Sequence, residues 1–113
     1  MDISLNGFLE NAATFAAAEG TVPGIPVKLT ANGSVGPCAA GDGFCGVALN
    51  VRGGYASVQL RGYVVLSYSG TAPAPGWQGL LAAADGKVEA DASGHAFLVT
   101  DVDTAAQTCG MIL

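Results

Sequence analysis

The chain holds one histidine, His95, and three cysteines, Cys38, Cys45 and Cys109. Histidine is the commonest general base. His95, however, follows Gly94 at the start of an apolar run, a place that suits a solvent-facing or capping side chain better than a base. Cys38 and Cys45 lack the spacing of a zinc site, and no Cys-x-x-Cys occurs. An odd cysteine count leaves at least one thiol unpaired, so free thiols from a reducing cytosol fit better than a disulfide framework. Asp101 and Asp103 flank Val102, and alternation puts both carboxylates on one face. Calcium wants about six or more oxygens. No further acidic cluster lies near the pair, which favours a solvated strand end. A hairpin lysine, Lys87, lacks the Met- or Asp-Lys-Ala/Met setting of a modified swinging arm. No Gly-x-Ser-x-Gly elbow and no P-loop are present. The reading is a chain with no catalytic residue, no metal site and no cofactor.

The elements around these residues read as strands. Residues 41–68 organise the chain. A Gly-Asp-Gly turn leads into Phe44 to Leu49, and Arg52-Gly53-Gly54 breaks the run as a hairpin. Ala56, Val58 and Leu60 then alternate with Ser57, Gln59 and Arg61. After Gly62, Tyr63-Val64-Val65-Leu66 continues as β-branched and aromatic sequence. Upstream, Val27 to Thr30 is a short strand, and Asn32-Gly33 is a turn expected to supply two positive-φ positions. Val35 starts the return. Downstream, Trp77 to Ala82, Lys87 to Glu89, His95 to Val102 and Gln107 to Leu113 are strands. The core is expected from Val27, Leu29, Phe44, Val47, Leu49, Val58, Leu60, Val65, Leu80, Val88, Phe97, Val99 and Ile112.

The halves echo one another. Pro23-Gly24-Ile25, an Asn-Gly turn and Val35 match Pro75-Gly76-Trp77, an Asp-Gly turn and Val88. Phe44 is as far from Leu60 as Phe97 is from Leu113. Residues 23–60 thus resemble 75–113, as two copies of one supersecondary unit would. The fold class expected is all-β: a small, glycine-punctuated barrel or sandwich with an internal pseudo-two-fold repeat, over residues 21–113.

Residues 1–20 differ. Leu5, Phe8, Leu9, Ala12, Ala13 and Ala16 fall near helical spacing in an alanine-rich segment. The segment reads either as a short amphipathic helix or as an extended arm that orders on a partner. Leu5, Phe8, Leu9 and Phe15 are its candidate contact residues. A helix this short is marginal by itself, so these side chains need a surface to pack on.

Composition narrows the function. Only 12% of residues are charged, against about 25% in typical domains. Half the residues are hydrophobic, and buried protein–protein contact would explain the deficit of charge. The net charge of -5, with four scattered Lys and Arg, argues against nucleic acid and against anionic membranes. Asp2, Glu10 and Glu19 precede the first basic residue, Lys28, unlike a signal peptide. The charge-free run from Gly62 to Ala84 is broken by Gly70, Pro73, Pro75, Gly76 and Gly79, unlike a transmembrane helix.

Four stretches carry a resemblance: Gly24 to Leu29, Gly41 to Ala48, Val58 to Val64, and Val99 to Thr104. Across most of residues 20–113 the sequence resembles the small head decoration, or cement, proteins of tailed bacteriophages and prophages. These motifs are glycine turns and strands, not an active-site signature. The resemblance implies a homotrimer on the outer capsid surface, made in the bacterial cytoplasm, with the major capsid protein as partner. It also implies an N-terminal arm that touches the shell, although residues 1–20 match no motif of such an arm. Two other readings compete: another phage structural β module from a tail, fibre or head–tail piece, or a barrel that binds a small ligand or glycan. The second would use Trp77, Tyr55, Tyr63 and Tyr68 as a stacking surface.

Overall fold

The computed structural model describes residues 11–113. Ten strands follow in chain order: β1 Asn11–Ala17, β2 Pro26–Ala31, β3 Ser34–Pro37, β4 Gly46–Arg52, β5 Tyr55–Arg61, β6 Tyr63–Ser67, β7 Gly76–Ala82, β8 Val88–Ala90, β9 His95–Asp103 and β10 Thr108–Ile112. A single 3₁₀ turn, Ala84–Gly86, separates β7 from β8. The fold is all-β, as the alternation predicts.

The strands form two sheets with one topology. The first closes into a barrel in the order β1-β3-β2-β4-β5, and the second runs β6-β10-β9-β7-β8. Read round from β1, the first ring is β1-β5-β4-β2-β3; the second is the same ring moved on by five strands. In the first, β1 meets β3 in parallel through Ala16↔Ser34 and Ala17↔Val35. In the second, the corresponding closure shrinks to one parallel bridge, Tyr68↔Val88, just beyond β6. The repeat therefore reaches further than residues 23–60 and 75–113, and takes in β1 and β6.

A shared irregularity marks the duplication. Between β4 and β5 the register slips at Leu49, between Ala48↔Val58 and Asn50↔Ser57. Between β9 and β10 it slips at Thr100, between Val99↔Met111 and Asp101↔Gly110. A bulge leaves one residue unpaired and tightens the local twist, which helps a five-stranded ring to curl. Aligned on the bulges, Ala48, Ala56 and Val58 correspond to Val99, Cys109 and Met111, and Val35 corresponds to Val88. All eight are buried. The smaller side chains line the ring that closes. The larger set, with Tyr68 where the first ring has Ala17, fills the ring joined by a single bridge. Interior volume and ring closure are linked in this way.

Three expectations need correction. Residues 11–17 are neither a helix nor a free arm but strand β1, paired antiparallel to β5 from Asn11↔Arg61 to Ala16↔Tyr55. Alanine spacing imitates a helical stripe here because Ala12 and Ala16 are small residues on the outer face of the strand, while Ala13, Phe15 and Ala17 turn inward. The β domain thus begins at least ten residues before residue 21. Second, Leu29, Leu49 and Val65 are exposed and not core. Leu49 is the bulge residue, and Val65 is one residue out of phase with the buried Val64 and Leu66. Leu29 lies beside the register shift of β2 and β3. Leu60 and Ile112 are only half-buried. Third, Phe44 and Phe97 are not equivalent positions. Phe44 precedes β4, and its ring stacks on Phe97 at 5.1 Å between centroids. The matching spacings arise because the β9–β10 turn, Thr104 to Gln107, is longer than Gly53-Gly54.

Turn chemistry explains the hairpins. Gly53 and Gly54 both take positive φ, 58° and 82°, and Arg52↔Tyr55 closes the tight turn. This conformation suits the strand twist and costs glycine nothing. At Asn32-Gly33 only the glycine is left-handed, at 67°.

Candidate interaction surface

The surface of interest lies where the two rings meet. Chain direction changes at Gly62, with φ of 101°, between β5 and β6. Gln59, only 3% exposed, fixes this corner. Its Nε2 donates to the carbonyl oxygens of Arg61 at 3.0 Å and Tyr63 at 3.1 Å. Tyr63 is held from its far end, because its hydroxyl donates to Asp101 Oδ1 at 3.0 Å. Burial first, and then the Asp101 carboxylate, push the Tyr63 phenol up, so it stays a donor. Gly110 makes room: a Cβ there would collide with the Tyr63 hydroxyl and the Asp101 carboxylate.

Beside this corner lies an open groove of about 490 Å³, lined by Pro23, Leu49, Gln59, Tyr63, Val64 and Val65 among others. None of its lining residues is charged. Val22, Leu49 and Val65, at its margin or next to it in the chain, are 50%, 41% and 54% exposed. These exposed aliphatic side chains beside an uncharged groove make this corner the candidate surface.

The contact residues expected from the sequence separate. Leu5, Phe8 and Leu9 lie outside the described residues. Phe15 is half-buried against the core of the first barrel, on the inner face of β1. The aromatic set does not form one stacking surface either. Tyr68 is 3% exposed inside the second ring, whereas Trp77 and Tyr55 are 76% and 61% exposed.

The remaining candidates are accounted for by local structure. Asp101 accepts from Tyr63 and from Thr100 Oγ1 at 2.6 Å. Asp103 accepts from the backbone N–H groups of Ala105 and Ala106, each at 3.0 Å, and so shapes the β9–β10 turn. Lys28 Nζ donates to Asp42 Oδ2 at 2.6 Å, and the same oxygen accepts from Ala39 N at 2.9 Å. The Lys28 bond and the Ala39 bond hold the Asp42 carboxyl below its ordinary range, and the Lys28 ammonium is raised by the same hydrogen bond. This pair clips the loop between β3 and β4.

A second pocket, of about 390 Å³, brings Cys45, Arg61 and His95 together over Phe44 and Phe97. The His95 ring meets Phe97 edge-on at 4.9 Å. Burial pushes the Cys45 thiol up, so the resting form is the protonated thiol, a poor nucleophile. Burial likewise pushes Cys38 and Cys109 up to about 11. All three cysteines are unpaired. Sequence reasoning missed both the groove and this pocket. Their residues come from separate strands, and the bulge at Leu49 that turns one of them outward is set by strand pairing and leaves no trace in the sequence.

No protein-family model matches the chain, and no curated protein matches it.

Proposed function

We propose that this chain is a structural protein of a bacteriophage virion: a homotrimer that binds the major capsid protein on the outer surface of the head and cements the shell. The observation that carries the reading is the exposed aliphatic surface of Leu49, Val65 and Val22 on a chain only 12% charged. A cement acts by contact area and not by catalysis. Many modest contacts, repeated over a lattice, sum to firm attachment. The resemblance of residues 24–29, 41–48, 58–64 and 99–104 to head decoration proteins points the same way. The acidic balance suits the outside of a DNA-filled shell, and free thiols suit assembly in a reducing cytoplasm.

Co-sedimentation with undecorated shells of the phage that encodes the chain tests this reading. Stoichiometric, saturable binding is expected, together with a trimer mass by light scattering. A monomer that leaves the shells bare would overturn it.

A further inference from the structure

We propose that the open edge of β6 is a docking edge, which receives an extended, uncharged, apolar segment of the shell protein as an added β-strand. The inference rests on the capsid reading above and names the contact through which it acts.

The hydrogen-bond phase of β6 sets up the edge. Leu113 N donates to Gly62 O at 2.9 Å and Tyr68 N to Gln107 O at 3.0 Å. In an antiparallel ladder the bonded positions alternate. Val64 and Leu66 therefore turn their backbone groups toward β10, while Tyr63, Val65 and Ser67 turn theirs away. Among the outward groups, the Tyr63 carbonyl is taken by Gln59. Among the described residues Val65 has no backbone partner on this side and the Ser67 N–H is open, while the Ser67 carbonyl is held in the parallel bridge Tyr68↔Val88; both residues are exposed.

The first barrel shows what such an edge holds. There Ala16 N donates to Gly33 O at 2.9 Å and Ala18 N to Val35 O at 2.7 Å, so β1 is covered by a strand. The counterparts of Ala16 and Ala18 are Ser67 and Ser69. Ser69 N keeps its bond, to Val88 O at 2.9 Å. The Ser67 N–H has no such bond among the described residues: β8 is entered through the 3₁₀ turn Ala84–Gly86, where Asp85 and Gly86 are both left-handed, and β3 through Asn32-Gly33, where only the glycine is. At this one N–H the first repeat thus supplies a partner from its own strand, and the second has none among the described residues; Val65, like its counterpart Thr14, lies beyond the reach of that pairing.

The groove defines the chemistry of the guest. It runs beside Val65 and is lined by Pro23, Leu49 and Val64, with no charged residue. A charged segment would lose its hydration there without compensation. An extended apolar segment gains main-chain bonds from the edge and side-chain contacts from the groove, the general mode of strand addition.

Two variants and one direct readout test the proposal, with undecorated shells as the probe. Val65→Pro removes an outward N–H without touching the ladder to β10, and proline is tolerated on edge strands. Leu49→Lys places a charge in the groove without altering the backbone. The wild type is expected to bind shells, with amide exchange over residues 63–67 slowed about tenfold or more on binding. Both variants are expected to melt like the wild type and to bind about tenfold more weakly or worse. If Val65→Pro does not fold, Leu49→Lys and the exchange measurement decide. Binding by the wild type with unchanged exchange at residues 63–67, or undiminished binding by the folded variants, overturns the docking edge and leaves the capsid reading standing. Failure of the wild type itself to bind overturns both.

Discussion

Phe97 shows how single side chains join the two rings. It is 8% exposed on β9, yet its ring lies against Phe44, which enters from the loop before β4. Both belong to the larger of the two cores. Phe97→Ala is expected to cost about 3–5 kcal/mol in chemical denaturation. Phe44→Ala should cost less when Phe97 is already alanine, because the two rings share one contact. Strict additivity of the two substitutions would mean that the stack contributes nothing. The Lys28–Asp42 clip acts through charge. Asp42 is depressed in the folded chain, so its contribution is present above the unfolded value of 3.8 and is lost as pH falls through the lower folded value. Lys28 is raised, so its contribution is complete below 10.5 and is lost as pH climbs through the higher folded value. Asp42→Asn should therefore lower the urea midpoint slightly at neutral pH. The gap to the wild type should close once the wild-type carboxylate is itself protonated. Because the pair is exposed, the effect is small and weakens further in salt. An equal gap at neutral and strongly acidic pH would show that the charge of Asp42 is irrelevant.

At the scale of elements, the sequence was legible wherever a turn had its own chemistry. Gly53-Gly54, Asn32-Gly33 and Asp85-Gly86 each separate a pair of neighbouring strands, and β5 to β10 lie within a residue or two of where alternation puts them, while β4 runs on three residues past Leu49 to Arg52. Legibility failed where tertiary context outweighed local pattern. Strand β1 is alanine-rich, and alanine favours helix intrinsically. Its pairing with β5 decides otherwise, since the open β5 edge offers a hydrogen-bond partner for the strand. The facing of β4 was lost for a different reason. A bulge changes phase within one strand, so Val47 and Ala48 are both buried and Leu49 is out. Alternation has no means of registering that. Alternation puts Gln59 on the polar, outer face of β5; it is instead the tie across the β5–β6 corner. Gln59→Leu preserves bulk and removes both donated bonds, and is expected to cost about 1–3 kcal/mol through the carbonyls left unpaired. A urea midpoint unchanged from the wild type would show that water replaces the amide at no loss.

At the scale of the whole molecule, duplication explains why one half illuminates the other. The two rings share strand order and bulge position, and they differ in closure. Closure of the first depends on β1, the strand least legible in the sequence, and this changes what truncation should do. Were residues 1–18 a separate arm, deleting them would leave the β domain whole. In the structure that deletion removes β1, exposes the length of β5 once paired with it, and uncovers the first core where Phe15 and Ala17 pack. Deleting residues 1–10 instead leaves every described strand pairing in place. The expected outcome is a split between the two truncations. The shorter deletion melts cooperatively near the wild-type temperature. The longer one loses its cooperative transition or aggregates through the freed edge of β5, as unpaired edges do. Shell binding by the shorter deletion then apportions attachment between two surfaces. Retained binding assigns it to the β6 edge and its groove, and lost binding assigns it to the segment that carries Leu5, Phe8 and Leu9. Cooperative, wild-type-like melting of the longer deletion would show that β1 is dispensable and that the first ring needs no closure.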